Sequence, residues 1–171
     1  HPRHSFLPAK ARVCYSKNIP MLSNKVISKS PIVTRDIARL LGAELKVAEL
    51  DNRHALCILL SGDLGAGKTA FAQGLAFGLG YRGRVHSPTF VLMKRYPIKT
   101  LYFKNLWHID CYRIKSAQEL LTLDLKKILE DPCNIVVIEW PEKIKKYIPQ
   151  PAIRISFKHH APEIRILTIS A

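Results

Sequence analysis

The chain has 171 residues, one domain's worth, with 47% apolar residues and no apolar run near the length of a membrane span, which points to a water-soluble globular protein. Lys and Arg outnumber Asp and Glu by 27 to 13, a net charge of +14. That balance favours polyanionic partners such as nucleic acid or nucleotides, with a merely solvated basic surface as the plain alternative. Cys14, Cys57, Cys111 and Cys133 form no CxxC pair and three of them sit in or beside apolar runs, so free thiols in a reducing compartment are expected in place of a metal site or disulfide framework.

Residues 1–35 carry seven Lys or Arg and no acid; the first carboxylate is Asp36. Residues 1–20, with prolines at positions 2, 8 and 20, read as a disordered or upstream-translated leader before Met21. A mitochondrial transit segment over residues 1–35 is the alternative. Residues 21–171 read as one domain. Within it, Asp36–Leu50 places Ile37, Leu40, Leu41 and Leu45 on one face of an amphipathic helix opening near Thr34. The run ALCILLS (55–61) is continuously apolar, the pattern of a strand covered on both faces. A glycine-rich turn and a helical run, TAFAQGLAFGL, follow.

LYFKNLWHID (101–110) reads as a strand ending in a carboxylate, SAQELLTLDLKKILE (116–130) as one helix with Ser116 at its N-cap and Glu119 at the box position, and NIVVIEW (134–140) as a second buried strand ending in a carboxylate. AIRISFK and EIRILTIS, joined by HHAP, predict a C-terminal antiparallel pair. Strands alternating with helices imply an α/β fold with a central, mostly parallel sheet flanked by helices.

The turn carries the chemistry. Gly62-Asp63-Leu64-Gly65-Ala66-Gly67-Lys68-Thr69 fits the phosphate-loop pattern G-x-x-x-x-G-K-[ST], and it stands between a buried strand and a helix as that pattern requires. Backbone N–H groups of such a loop turn inward to form an anion-sized nest, and bare glycines let the chain approach phosphate oxygens. The N-terminus of the following helix adds unpaired N–H groups and its positive dipole end. Lys68 is placed to bridge the β- and γ-phosphates of a nucleoside triphosphate, and the Thr69 hydroxyl to hold Mg²⁺. Mg²⁺ wants six hard oxygens, leaving room for a carboxylate. Asp110 and Glu139 stand at carboxyl ends of strands, where sheets of this class bring their ligands; spacing permits either to be the metal-side acid. VHSPTF (85–90) presents the hydroxyls of Ser87 and Thr89 on a turn stiffened by Pro88, suited to sense a γ-phosphate, with a plain turn as the alternative.

In that order and spacing, SGDLGAGKT, HSPTF, HIDCYR, QEL and IEWPEK resemble the TsaE (formerly YjeE) family, from about Ser28 to the final strands. The resemblance implies a P-loop ATPase using ATP and Mg²⁺ in the cytoplasm. It implies work with two partner subunits, of TsaB and TsaD type, in threonylcarbamoyl modification of the adenosine beside the anticodon of ANN-reading tRNAs. The tRNA would be met indirectly, through that complex. By matching position, Lys68 and Thr69 are the phosphate and Mg²⁺ residues, Glu139 the metal-side acid and Asp110 the catalytic one. Thr89 falls in a switch-like segment and Thr34 near the base. Ala70 departs from the family, which often has a second threonine there; Thr69 still supplies the metal hydroxyl.

Other classes fit less well. The one Asn-Lys pair, Asn24-Lys25, lies too early to read guanine in a small GTPase. A small-molecule kinase, the runner-up, would draw its arginine lid from Arg82 and Arg84. A pure RNA-binding module leaves the phosphate loop unexplained.

Overall fold

The computed structural model describes residues 24–48, 53–88, 91–116, 118–121 and 123–170. The expected leader, Met21 and Cys14 lie outside the described residues. Strands β1 (Asn24–Ser28), β2 (Leu56–Gly62), β3 (Met93–Pro97), β4 (Asn105–Asp110), β5 (Asn134–Glu139), β6 (Ile153–Ala161) and β7 (Ile164–Ser170) form one sheet in the order β1-β7-β6-β2-β5-β4-β3. β6, β2, β5 and β4 are mutually parallel, and antiparallel strands close both edges.

Strand alternation sorts the core into two layers. Leu56, Ile58, Leu60, Ile135 and Val137 face helices α1 (Pro31–Val47) and α2 (Lys68–Gly78). Cys57, Leu59, Val136 and Ile138 face α3 (Gln118–Leu121), α4 (Leu125–Glu130) and the 3-10 turn Pro141–Tyr147. Because β2 and β5 are buried on both faces, their sequences show no polar alternation.

Helix α1 begins earlier than expected. Ser30 is its N-cap, the hydroxyl accepting from Val33 N at 3.2 Å, and Pro31 takes the first helical position, where its missing N–H costs nothing. Its buried face is Thr34, Ala38, Gly42 and Leu45, with Ile37 and Leu41 at the margin; Leu40, expected inward, is 64% exposed. The reason is close helix packing. A Cβ at Gly42 would run into the carbonyl of Leu75, one at Gly74 into that of Arg35, and one at Gly78 into that of Arg39. Small residues therefore select the face that meets α2, and the largest apolar stripe does not.

Three further expectations are corrected. Residues 101–104 are not strand but part of the turn joining β3 to β4, where Ile98 N donates to Lys104 O at 2.9 Å and Phe103 N to the Thr100 hydroxyl at 2.7 Å. The single helix over 116–130 is two short ones, because Asp124 takes a left-handed conformation (φ 60°), which aspartate tolerates. Glu119 still closes half of the expected box, its Oε1 accepting from Ser116 N at 3.2 Å. The C-terminal pair is antiparallel as expected, but β6 also runs parallel to β2, so the pair extends the main sheet and β1 completes that edge.

Candidate active site

The phosphate loop leaves the carboxyl end of β2 through Gly62 (φ 137°), whose Cβ position is filled by Phe157 of β6. Gly65 (φ 74°) and Gly67 (φ 105°) supply the two left-handed turns that bend the chain into a nest. A Cβ on Gly65 would meet open space, so backbone conformation and not crowding demands glycine there. Gly67 then opens α2, whose first-turn N–H groups have no intrahelical partner. A cleft of about 320 Å³ lies over this turn, lined among others by Gly67, Lys68, Thr69, Asp110, Glu139 and Trp140.

Lys68 is buried, and its ammonium donates to the carbonyls of Gly62 and Asp63, at 2.7 Å each. It also lies 4.2 Å from the centre of the Trp140 ring. Burial draws its pKa below the ordinary lysine range, while Glu139, Asp110, Asp63 and Glu142 pull in the opposite direction without overcoming it. The next residue, Thr69, donates from its hydroxyl to Glu139 Oε1 at 3.1 Å.

Asp110 and Glu139 are register partners at the carboxyl ends of β4 and β5, both buried. Asp110 Oδ1 accepts from Tyr112 N at 2.9 Å, a local bond that fixes the chain's turn out of β4. Trp140 follows Glu139 in a left-handed conformation (φ 57°), uncommon for a bulky residue, and its ring packs against that of Tyr112 at 5.2 Å between centroids. Among the described residues no group of three or more His, Cys, Asp or Glu could hold a metal alone. The donors offered are one hydroxyl and two carboxylates, all hard oxygen, and they fit Mg²⁺ completed by phosphate oxygens and water.

Thr34 is fully buried beside Gly67, 3.7 Å from where a Cβ on that glycine would stand, and its hydroxyl is 2.7 Å from that of Ser28. Ser87 lines the cleft, whereas Thr89 lies outside the described residues. Arg82, one of the two arginines a kinase lid would use, is held on Phe77: it donates to the Phe77 carbonyl at 2.8 Å and stacks on the ring. Arg84 lines a separate groove beside Arg35 and Arg39. Cys57 and Cys111 are free and buried and Cys133 is free and half-buried, in keeping with the thiols expected.

Two site residues escaped the sequence reading, His108 and Trp140. His108 Nε2 lies 2.9 Å from Glu139 Oε1, with both side chains buried. The available signal was period two: in β4, residue 108 shares a face with residue 110. Trp140 had no such signal, because its place follows from the backbone turn after β5.

A family model described as "Threonylcarbamoyl adenosine biosynthesis protein TsaE" matches residues 28–166. A curated tRNA threonylcarbamoyladenosine biosynthesis protein TsaE from Rickettsia bellii is 34% identical over 151 residues, covering 88% of this chain and 96% of that protein. Its counterpart in Bacillus subtilis is 35% identical over 142 residues, covering 83% and 82%. The crystal structure of Bacillus subtilis YdiB matches with a TM-score of 0.65 and 29% identity, covering 86% of this chain and 84% of its own.

Proposed function

Because the chain belongs to the TsaE family of threonylcarbamoyl adenosine biosynthesis proteins, we propose that it is the ATP-binding and ATP-hydrolysing subunit of that modification system. It would act with two partner subunits, of TsaB and TsaD type, on the adenosine beside the anticodon of ANN-reading tRNAs. One observation carries this reading: a complete phosphate loop faces two buried carboxylates that end adjacent parallel strands, and one of them already binds the Thr69 hydroxyl.

In this reading the backbone of Gly62, Asp63, Leu64, Gly65, Ala66 and Gly67 wraps the phosphates. Lys68 exchanges its two carbonyl partners for phosphate oxygens. Thr69 and Glu139 would hold Mg²⁺, which would supply neutralisation of charge on the phosphate oxygens. Thr69 gives its one proton to Glu139 and so keeps its lone pairs for the metal. Asp110, at the neighbouring strand end, orients the attacking water. Thr34 supports the loop on the side of the base, and Thr89 senses the γ-phosphate. The basic surface steers the domain toward a complex that carries tRNA in the cytoplasm, which makes the encounter sensitive to salt. No described helix is long and apolar enough to cross a membrane.

The test is turnover of ATP and GTP by the purified chain, alone and with both partner subunits and tRNA. ATP hydrolysis that rises on adding the partners, and partner binding that differs between ADP and an ATP analogue, are expected. Indifference to nucleotide and partners, with phosphate transferred to a small molecule, would replace this reading with a kinase.

A further inference from the structure

We propose that His108 is a positioning residue, whose Nε2–H holds the Glu139 carboxylate in the orientation that meets Thr69 and the metal; this rests on the reading of Glu139 as the metal-side acid. His108 is 1% exposed and reaches Glu139 Oε1 at 2.9 Å. The Thr69 hydroxyl reaches the same oxygen at 3.1 Å. Two donors, one from β4 and one from α2, therefore converge on Oε1 and leave Oε2 outside this pair of bonds.

A glutamate at a strand end has three side-chain torsions to fix, and burying its charge without donors is costly. A ring N–H fixed within the sheet supplies the donor at little entropic cost, because histidine has only two torsions and this side chain is buried. The far side of the ring supports this assignment. His108 Nδ1 is buried and has no hydrogen-bond partner among the described residues. An apolar residue would fill the space without leaving that nitrogen unsatisfied, so packing alone does not account for a histidine here. Its polar character is spent on the Glu139 side. With the carboxylate oxygen as acceptor, Nε2 is the donating nitrogen of this contact. Outer partners of this kind orient metal-binding groups, and their loss commonly lowers metal affinity by about 10- to 100-fold.

The test compares the full chain with His108→Gln, which keeps an N–H donor of similar reach, His108→Leu, which has none, and Glu139→Ala. Binding of a non-hydrolysable ATP analogue is measured by calorimetry in EDTA and across a Mg²⁺ series. His108→Leu should raise the Mg²⁺ needed for half-maximal enhancement by about tenfold, with affinity in EDTA unchanged; His108→Gln should stay near wild type. A Mg²⁺ requirement in His108→Leu equal to wild type overturns the proposal. So does a His108→Gln as impaired as His108→Leu, because the residue would then serve shape alone. If melting shows His108→Leu unfolded, His108→Asn, whose amide is too short to reach Glu139, takes its place with the same expectation. Wild type that binds no analogue, or Glu139→Ala with an unaltered Mg²⁺ response, would instead remove the parent reading of the site.

Discussion

The Lys68 ammonium lies over the Trp140 ring while donating to the carbonyls of Gly62 and Asp63, so the loop's own backbone and the residue after β5 hold the cation between them. These partners are neutral dipoles and a π face, weaker than a phosphate. The cation is thus kept in place while retaining most of its attraction for an anion.

This arrangement sets a pH dependence. The folded-state pKa of Lys68 lies below the usual 10.5 because the group is buried. ATP-analogue affinity should therefore fall as pH rises past that lowered pKa, beginning below 10.5, since the neutral amine no longer pairs with phosphate. Stability of the nucleotide-free protein should move the other way. Between the folded-state pKa and 10.5 the unfolded chain binds the extra proton, so Lys68 makes the fold more stable as pH increases. Lys68→Ala should remove both limbs and cost on the order of 2 kcal/mol of affinity. Calorimetric titration from neutral to alkaline pH on both proteins checks this; identical alkaline limbs would refute the assignment to Lys68.

The two carboxylates should separate by role. Asp110→Asn is expected to bind Mg-ATP while turnover stops. Glu139→Ala is expected to lose the enhancement of binding by Mg²⁺, because Thr69 loses its acceptor along with the metal-side oxygen. Affinity and turnover across a Mg²⁺ series distinguish them, and the reverse pattern would exchange the assignments.

Gly74→Ala should destabilise the domain by roughly 1–3 kcal/mol, as overpacked interiors do. Alanine favours an isolated helix over glycine by about 1 kcal/mol, yet here its methyl would be driven into the Arg35 carbonyl of α1. Denaturant unfolding measures the sign; a more stable variant would mean that the two helices separate easily.

Thiol reagents should discriminate among the cysteines. Burial pushes Cys57 and Cys111 up to about 12, so neither forms thiolate near pH 8 in the folded state. Of the three cysteines among the described residues, Cys133 is half-buried and should react before Cys57 and Cys111. Mass spectrometry of alkylated peptides, with and without denaturant, tests this; rapid modification of Cys57 under native conditions would contradict the packing of β2.

What was legible in the sequence followed from strong local physics. The loop, β2 and β5 announced themselves because glycine spacing and unbroken apolar runs each admit few structures. Glu139 followed from β5, and Asp110 from the carboxylate that closes the run 101–110 at the end of β4. β1 and β3 were missed because edge strands lack the apolar code of a central one: in β3 only Tyr96 is buried. Leu40 was misplaced because a contact built on Gly42, Gly74 and Gly78 is a property of two helices together and cannot be seen in the stripe of either. The break at Asp124 and the turn at Trp140 depend on left-handed residues that are not glycine, for which composition gives little warning.

The position of β2 has a consequence for biosynthesis. Ile58 is flanked in register by Val137 of β5 and Ile153 of β6, and Gly62 sits opposite Phe157. A nascent polypeptide that has emerged only as far as β5 supports its loop strand from one side, with nothing pressing on Gly62. Long-range pairing of this kind is slow to form. In the proposed reading, nucleotide binding would therefore await β6, which begins only at Ile153 of 171 residues, and a chain truncated between β5 and β6 would carry every loop residue in order yet lack the strand that backs Gly62.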